Sequence, residues 1–203
     1  MLRVVVPPQP IVTPADIAGV AVGDAAEAAL IAAVTEEIDG PSGWLGRALG
    51  VQTIEWTDWI GCRRTTLPCR PIIKIENVTA IDCDGGEQVV DPSTYRQEGD
   101  CIVVAHGAGW VTSNRHRIRY KAGYNGTSGA AAGEQQTGAV PERARQAIIL
   151  SVQHLRSLQV ESLYLKVDEV EGVGRKEFTL SEVASKVIER TCERLLSTLR
   201  VYS

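Results

Sequence analysis

The ten residues "RHRIRYKAGY", Arg115 to Tyr124, decide the fold class. His116, Ile118, Tyr120 and Ala122 alternate with Arg115, Arg117, Arg119 and Lys121, and in an extended chain successive side chains point to opposite faces. One face is apolar apart from a histidine, and the other is a row of cations. Such a strand belongs in an antiparallel sheet with one face on a core and the other toward water. The basic row has two readings. It is the solvated face of a two-sided strand, or a surface that meets an acidic neighbour or passing nucleic acid.

Upstream of this strand the period of two continues from Val51. "VQTIEWTDW" alternates, and "LPCRPIIKIENVTAID", Leu67 to Asp82, opens with Pro68 and Pro71, which fix φ and forbid a helix. Ile73 and Ile75 face one way and Lys74 and Glu76 the other, and the phase changes near Asn77, where a bulge is expected. "GGEQVV" after "DCD", and "TYRQEGDCIVVA" around Gly99-Asp100, read as hairpin strands. The spacing predicts a small antiparallel module over residues 51–124.

Outside that module the period is helical. Thr13, Pro14 and Asp16 mark the start of a short helix, and Asp24 with Glu27 opens a longer one whose Leu30, Ile31, Val34 and Ile38 recur on one face beside Glu36 and Glu37. It ends near Gly40-Pro41, with "SGWLGRALG" as a candidate continuation. Residues 1–50 are thus expected to hold a helix pair. "GYNGTSGAAAGEQQTGAV" lacks large apolar groups, and 125–140 is expected to be a mobile loop. Pro141 opens a central helix over 141–160 with Ala144, Ile148, Val152, Leu155 and Leu158 in a stripe. Residues 161–203 then carry a charged connector and a last helix, opened by Thr179 and Glu182 and lined by Val183, Val187, Thr191, Leu195 and Leu199. The expected class is α+β, with a mainly helical body and an inserted antiparallel module.

Composition narrows the function classes. Among 203 residues, 21 Lys plus Arg stand against 25 Asp plus Glu, a net charge of −4, so the main affinity is not for phosphate backbones. Aromatics are only 5%, leaving a core of Ala, Val, Ile and Leu. "MLRVVVPPQP" does not read as a secretory signal, and the apolar-rich run from Ala25 to Val34 is shorter than the roughly 20 residues a bilayer requires. A soluble protein made in the cytoplasm is expected. The five cysteines form no C-x-x-C pair and read as free, half-buried thiols; Cys83 and Cys101, on neighbouring predicted strands, are the candidates for a disulfide outside the cell.

Chemistry-bearing motifs are sparse. No phosphate loop, nucleophile elbow or H-E-x-x-H is present, and His106, His116 and His154 are dispersed, so no catalytic, cofactor or metal residues are assigned. "HGAGW", His106 to Trp110, reads as a tight turn on a packed tryptophan, and Asp82/Asp84 as turn chemistry. An enzyme is not expected. The rival from that class is a ligand site near His106 and Trp110.

The order of parts carries more than any single motif. "TPADIAGVAVGDAAEAALIAAVTEEIDGPSGWLGRAL", "LPCRPIIKIENVTAID", "STYRQEGDCIVV", "IRYKAGY", "VPERARQAIIL" and "LLSTLRV" follow one another, and this succession resembles the head-tail connector, or adaptor, family of tailed bacteriophages and gene-transfer agents. The resemblance implies a non-enzymatic subunit of a ring, expected to be dodecameric, that sits in the virion neck. Its implied partners are the portal protein, a stopper or tail-terminator protein, and passing double-stranded DNA read without sequence specificity, with no membrane. It implies that the helices make the ring body and that the C-terminal segment, through Val183, Val187, Leu195, Leu199 and Arg200, docks on the portal. In such a ring Arg115, Arg117, Arg119 and Lys121 are expected to meet a neighbour's Glu36, Glu37 and Asp39. The alternative within the same assembly is another neck component, a stopper or tail-completion protein.

Overall fold

A computed structural model describes residues 1–107, 115–160, 167–170, 174–177 and 182–201. In chain order the elements are β1 (Leu2–Val6), α1 (Ala25–Ile38), β2 (Gln52–Trp59), β3 (Arg64–Thr66), β4 (Ile72–Ile81), β5 (Glu87–Val89), β6 (Tyr95–Glu98), β7 (Cys101–Val104), β8 (Arg115–Ala122), α2 (Glu142–Val160), β9 (Val167–Val170), β10 (Gly174–Glu177) and α3 (Glu182–Ser197). The chain divides into two compact units. One comprises Met1–Ile11, Glu36–Val140 and Leu199–Ser203, and the other Val12–Thr35 and Pro141–Thr198.

The expectation of a mainly helical body is overturned. Three α-helices among the described residues stand beside a five-stranded sheet, β1-β2-β8-β4-β5, a three-stranded sheet, β3-β7-β6, and the pair β9-β10, so helix and strand are about equal. The N-terminal helix pair reduces to one helix. Pro14–Asp16 is a single 3-10 turn, closed by the Asp16 carboxylate accepting from the Thr13 N–H (2.8 Å) and hydroxyl (2.9 Å). Asp24 caps α1 as its sequence predicts, accepting from the N–H groups of Ala26 and Glu27. Beyond Ile38, "SGWLGRALG" is not helical. Gly40, at φ +82°, turns the chain back, so that Trp44 N–H donates to Glu37 O at 2.8 Å and Gly40 N–H to Arg47 O at 2.9 Å.

In the strand-rich unit β8 is the central strand, paired antiparallel with both β2 and β4. Its alternation holds throughout, with His116, Ile118, Tyr120 and Ala122 buried. Ile118, Tyr120 and Ala122 join Ile54, Ile72 and Val78 of the same sheet and Leu67, Cys69 and Ile102 from the side of the three-stranded sheet in one core cluster. Fully burying an aliphatic side chain of this size contributes about 1.5–3 kcal/mol. Tyr120 satisfies its hydroxyl inside that core by donating to Pro68 O at 2.9 Å.

The proline-led strand β4 is bulged near Asn77, as its change of phase implies, and again after Ile72. Only its far end, Thr79–Ile81, pairs with β5, so its first half would expose unpaired backbone groups. Those groups are met from elsewhere in the unit. Asp100 accepts from Ile72 N–H (2.9 Å), Gln97 accepts from Ile75 N–H (3.0 Å) and donates to Ile72 O (3.3 Å), and Gln135 N–H donates to Ile73 O (2.8 Å). The last contact comes from the segment 125–140, expected to be a mobile loop. That segment is tied down by Asn125–Thr137 hydrogen bonds and a Gly126–Gly138 bridge. At its root Gly123, at φ +116°, lies against Gly50, whose carbonyl oxygen would be 2.3 Å from any Cβ placed there.

The helical unit buries Ile17, Ile31, Val34, Ala144, Ala147, Ile148, Val152 and Leu196. Its helices α2 and α3 pack on each other, and Arg145 reaches Asp16 at 2.9 Å. The connector predicted between these helices contains the antiparallel pair β9-β10, with Gly174 opposite Val170.

Candidate interaction surface

The outer face of the five-stranded sheet is set by register. Arg3 of β1, Glu55 of β2 and Arg119 of β8 are aligned across three strands, and Asn77 of β4 completes the row. One carboxylate serves two guanidinium groups. Arg119 Nη2 lies 3.0 Å from Glu55 Oε1, and Arg3 pairs with Glu55 Oε2. In the next row Arg117, between Thr57 and Thr79, pairs with Glu87 from β5, and that hydrogen bond holds its guanidinium above its ordinary pKa. Lys121 pairs with Glu134 at 3.0 Å from the Gly/Ala-rich segment.

Three of the four cations of the basic stripe therefore have carboxylate partners within the chain. The partners lie 30 to 64 residues away for the two arginines, which a reading of spacing along the chain does not reveal. Arg115 differs: it is exposed and makes no ion pair among the described residues. It sits between Trp59 of β2 and Ile81 of β4, and Trp59 is 61% exposed. No sequence expectation falls on Trp59, although a signal is present. Trp56 and Trp59 are an odd number of residues apart in one strand and must face opposite sides, and Trp56 packs on the core.

The acidic residues at the end of α1 separate in the same way. Glu36 and Glu37 are exposed, in a last turn that carries no basic residue. Asp39 is buried and accepts from Leu49 N–H (2.6 Å), Gly50 N–H (3.0 Å) and Gln52 Nε2 (3.2 Å). Burial pushes its carboxyl above the ordinary value of 3.8, against the pull of those donors. Asp39 clamps the turn into β2 and does not present its charge outward.

Of the C-terminal residues expected to dock on a partner, Leu199 is buried and the Arg200 guanidinium stacks over the Trp44 ring at 4.5 Å. Val201 N–H donates to Leu45 O at 2.9 Å in the same unit. Val187 is exposed and Leu195 half-buried on α3; the side chain of Val183, like Trp110, Thr179 and Leu158, lies outside the described residues. Leu155 of the α2 stripe is exposed rather than buried.

Cys83 and Cys101 do not lie on neighbouring strands. Cys83 is in the turn after β4 and Cys101 begins β7 of the other sheet, both as free thiols. Burial, with Asp39 nearby, pushes the Cys69 thiol up to about 12, which leaves it protonated and unreactive. Asp82 organises the β4–β5 turn by accepting from the N–H groups of Asp84 and Gly86. His106 is exposed. Among the described residues no group of His, Cys, Asp and Glu is placed to hold a metal ion, and no helix is long and apolar enough to cross a membrane.

No family profile and no curated protein matches this sequence. The fold is similar over its whole length to that of chains in three solved structures. A chain in the neck of an empty GTA particle computed with C6 symmetry superposes with a TM-score of 0.62 at 19% identity, over 100% of this chain and 96% of that chain. A chain in the virion of a native gene transfer agent (GTA) particle gives 0.61 at 18%, and one in the neck of a native GTA particle computed with C12 symmetry gives 0.61 at 17%, each with the same coverage. At such identities the likeness is one of fold.

Proposed function

We propose that this chain is a structural subunit of the neck of a phage or gene-transfer-agent particle, and within the neck the head-tail connector that forms a ring beneath the portal and lines the DNA channel. The observation that carries this reading is the end-to-end likeness to the GTA chains, two of them from necks, which leaves neither protein with a large unmatched part. The order of sequence motifs from "TPADIAGV" to "LLSTLRV" points the same way. The physics is compatible with the role. Most of the basic row is neutralised by Glu55, Glu87 and Glu134, so a duplex passing such a surface would meet few free cations to grip its phosphates. A second reading, a stopper or tail-completion protein, draws on the strand-rich unit; the three α-helices weigh against it.

Electron microscopy of this protein mixed with the portal protein encoded near it, beside each component alone, tests the reading. A ring added to the portal is the expected result. Binding only to a portal already carrying another ring would transfer the chain to the second reading. Absence from both, with the chain folded, would remove it from the neck.

A further inference from the structure

We propose that the row Trp59–Arg115–Ile81, at one end of the basic face, receives Glu36 and Glu37 at the end of α1 of a second copy of this chain. The inference rests on the ring reading above and specifies one contact of that ring. Arg115 is the member of the stripe with no carboxylate among the described residues. Its register neighbours are Trp59, 61% exposed, and Ile81. In the adjoining row Val89, opposite Thr79, is 70% exposed. Beyond Ile81 the row ends on Glu87, which is held by Arg117; an exposed tryptophan beside an arginine, with Ile81 and Val89 at its margin, has the composition of an interface anchor rather than of ordinary solvated surface.

The charge that fits this patch is found on the same chain. Glu36 and Glu37 are exposed, have no ion pair among the described residues, and occupy the last turn of a helix, where the aligned peptide dipoles disfavour anions. An unneutralised cation and two misplaced anions on one molecule complement each other between copies. A ring built head to tail requires this arrangement, because each subunit must carry two different surfaces that fit each other. Arg117, Arg119 and Lys121 are already matched inside the chain, so the contact involves the end of the stripe and not its length.

The test uses the full chain with its portal, following ring assembly by mass photometry as protein concentration is raised. Arg115→Glu, Trp59→Ala and the double variant Glu36→Arg/Glu37→Arg should each raise the concentration for half-assembly by about tenfold or more. Combining Arg115→Glu with Glu36→Arg/Glu37→Arg re-creates the pair with its signs exchanged, and should return assembly to within about threefold of wild type. Thermal unfolding of the variants keeps misfolding apart from lost contact. Wild-type assembly by Arg115→Glu would overturn the inference, as would a combined variant no better than its folded parents. If the wild-type chain itself forms no ring on the portal, the connector reading falls as well, and the two failures are thereby told apart.

Discussion

The β8 strand and the end of α1 each carry a run of like charge, and the fold treats the two runs differently. On β8 it neutralises three of four cations with carboxylates from β2, β5 and the 125–140 segment. At the end of α1 it uses one acid of three, burying Asp39 under two backbone N–H groups and Gln52. A charged run in a sequence is therefore a mixture. Some members complete the fold, and the remainder, here Arg115, Glu36 and Glu37, is what the molecule can offer to others.

The strongest way to break this distinction is to remove a charge the fold uses. Asp39→Ala would strand the buried N–H groups of Leu49 and Gly50, and should cost about 3 kcal/mol of stability in urea unfolding. Its titration gives a second, independent sign. Because the folded-state pKa of Asp39 is raised, its contribution is full below the ordinary value of 3.8 and declines as pH rises through the higher folded value. The stability difference between wild type and Asp39→Asn should fall over that window and be flat above it. Asp16, whose carboxyl is lowered chiefly by the Thr13 N–H, works in the opposite direction, losing its contribution as pH drops below 3.8.

Smaller effects separate the paired charges from one another. Glu55 is 11% exposed and shared by two arginines, so Glu55→Ala should lose about 1 kcal/mol. Glu87, half exposed against a single arginine, should lose no more than about 0.5 kcal/mol on the same change. At the small end, Glu36→Lys/Glu37→Lys should leave the monomer as stable as wild type or raise its stability by about 0.5 kcal/mol, since it relieves a helix end that carries no base. A loss approaching that of Asp39→Ala would show that these acids serve the fold and would erase the contrast.

What the sequence revealed was local. The alternation of β8, the β6–β7 hairpin around Gly99, the Asp24 cap and the start of α2 at Glu142 all depend on neighbours within a few residues. What it concealed depended on distant partners. β1 is five residues between Met1 and two prolines, and becomes a strand only through its pairing with β2, more than 45 residues on. β3 is three residues, recognisable only against β7. Without those strands the pattern along the chain is dominated by its helices. Asp39 and Glu37 look alike in the sequence; Gly40 turns the chain so that one is enclosed and the other left in water.

The most direct test is a side-chain-resolution electron cryomicroscopy map of the chain assembled on its portal. The expected ring has Arg115 within about 4 Å of a neighbour's Glu36 or Glu37, while Arg117, Arg119 and Lys121 keep Glu87, Glu55 and Glu134. A ring in which those three cations abandon their internal partners for the next subunit, with Arg115 left in solvent, would contradict it.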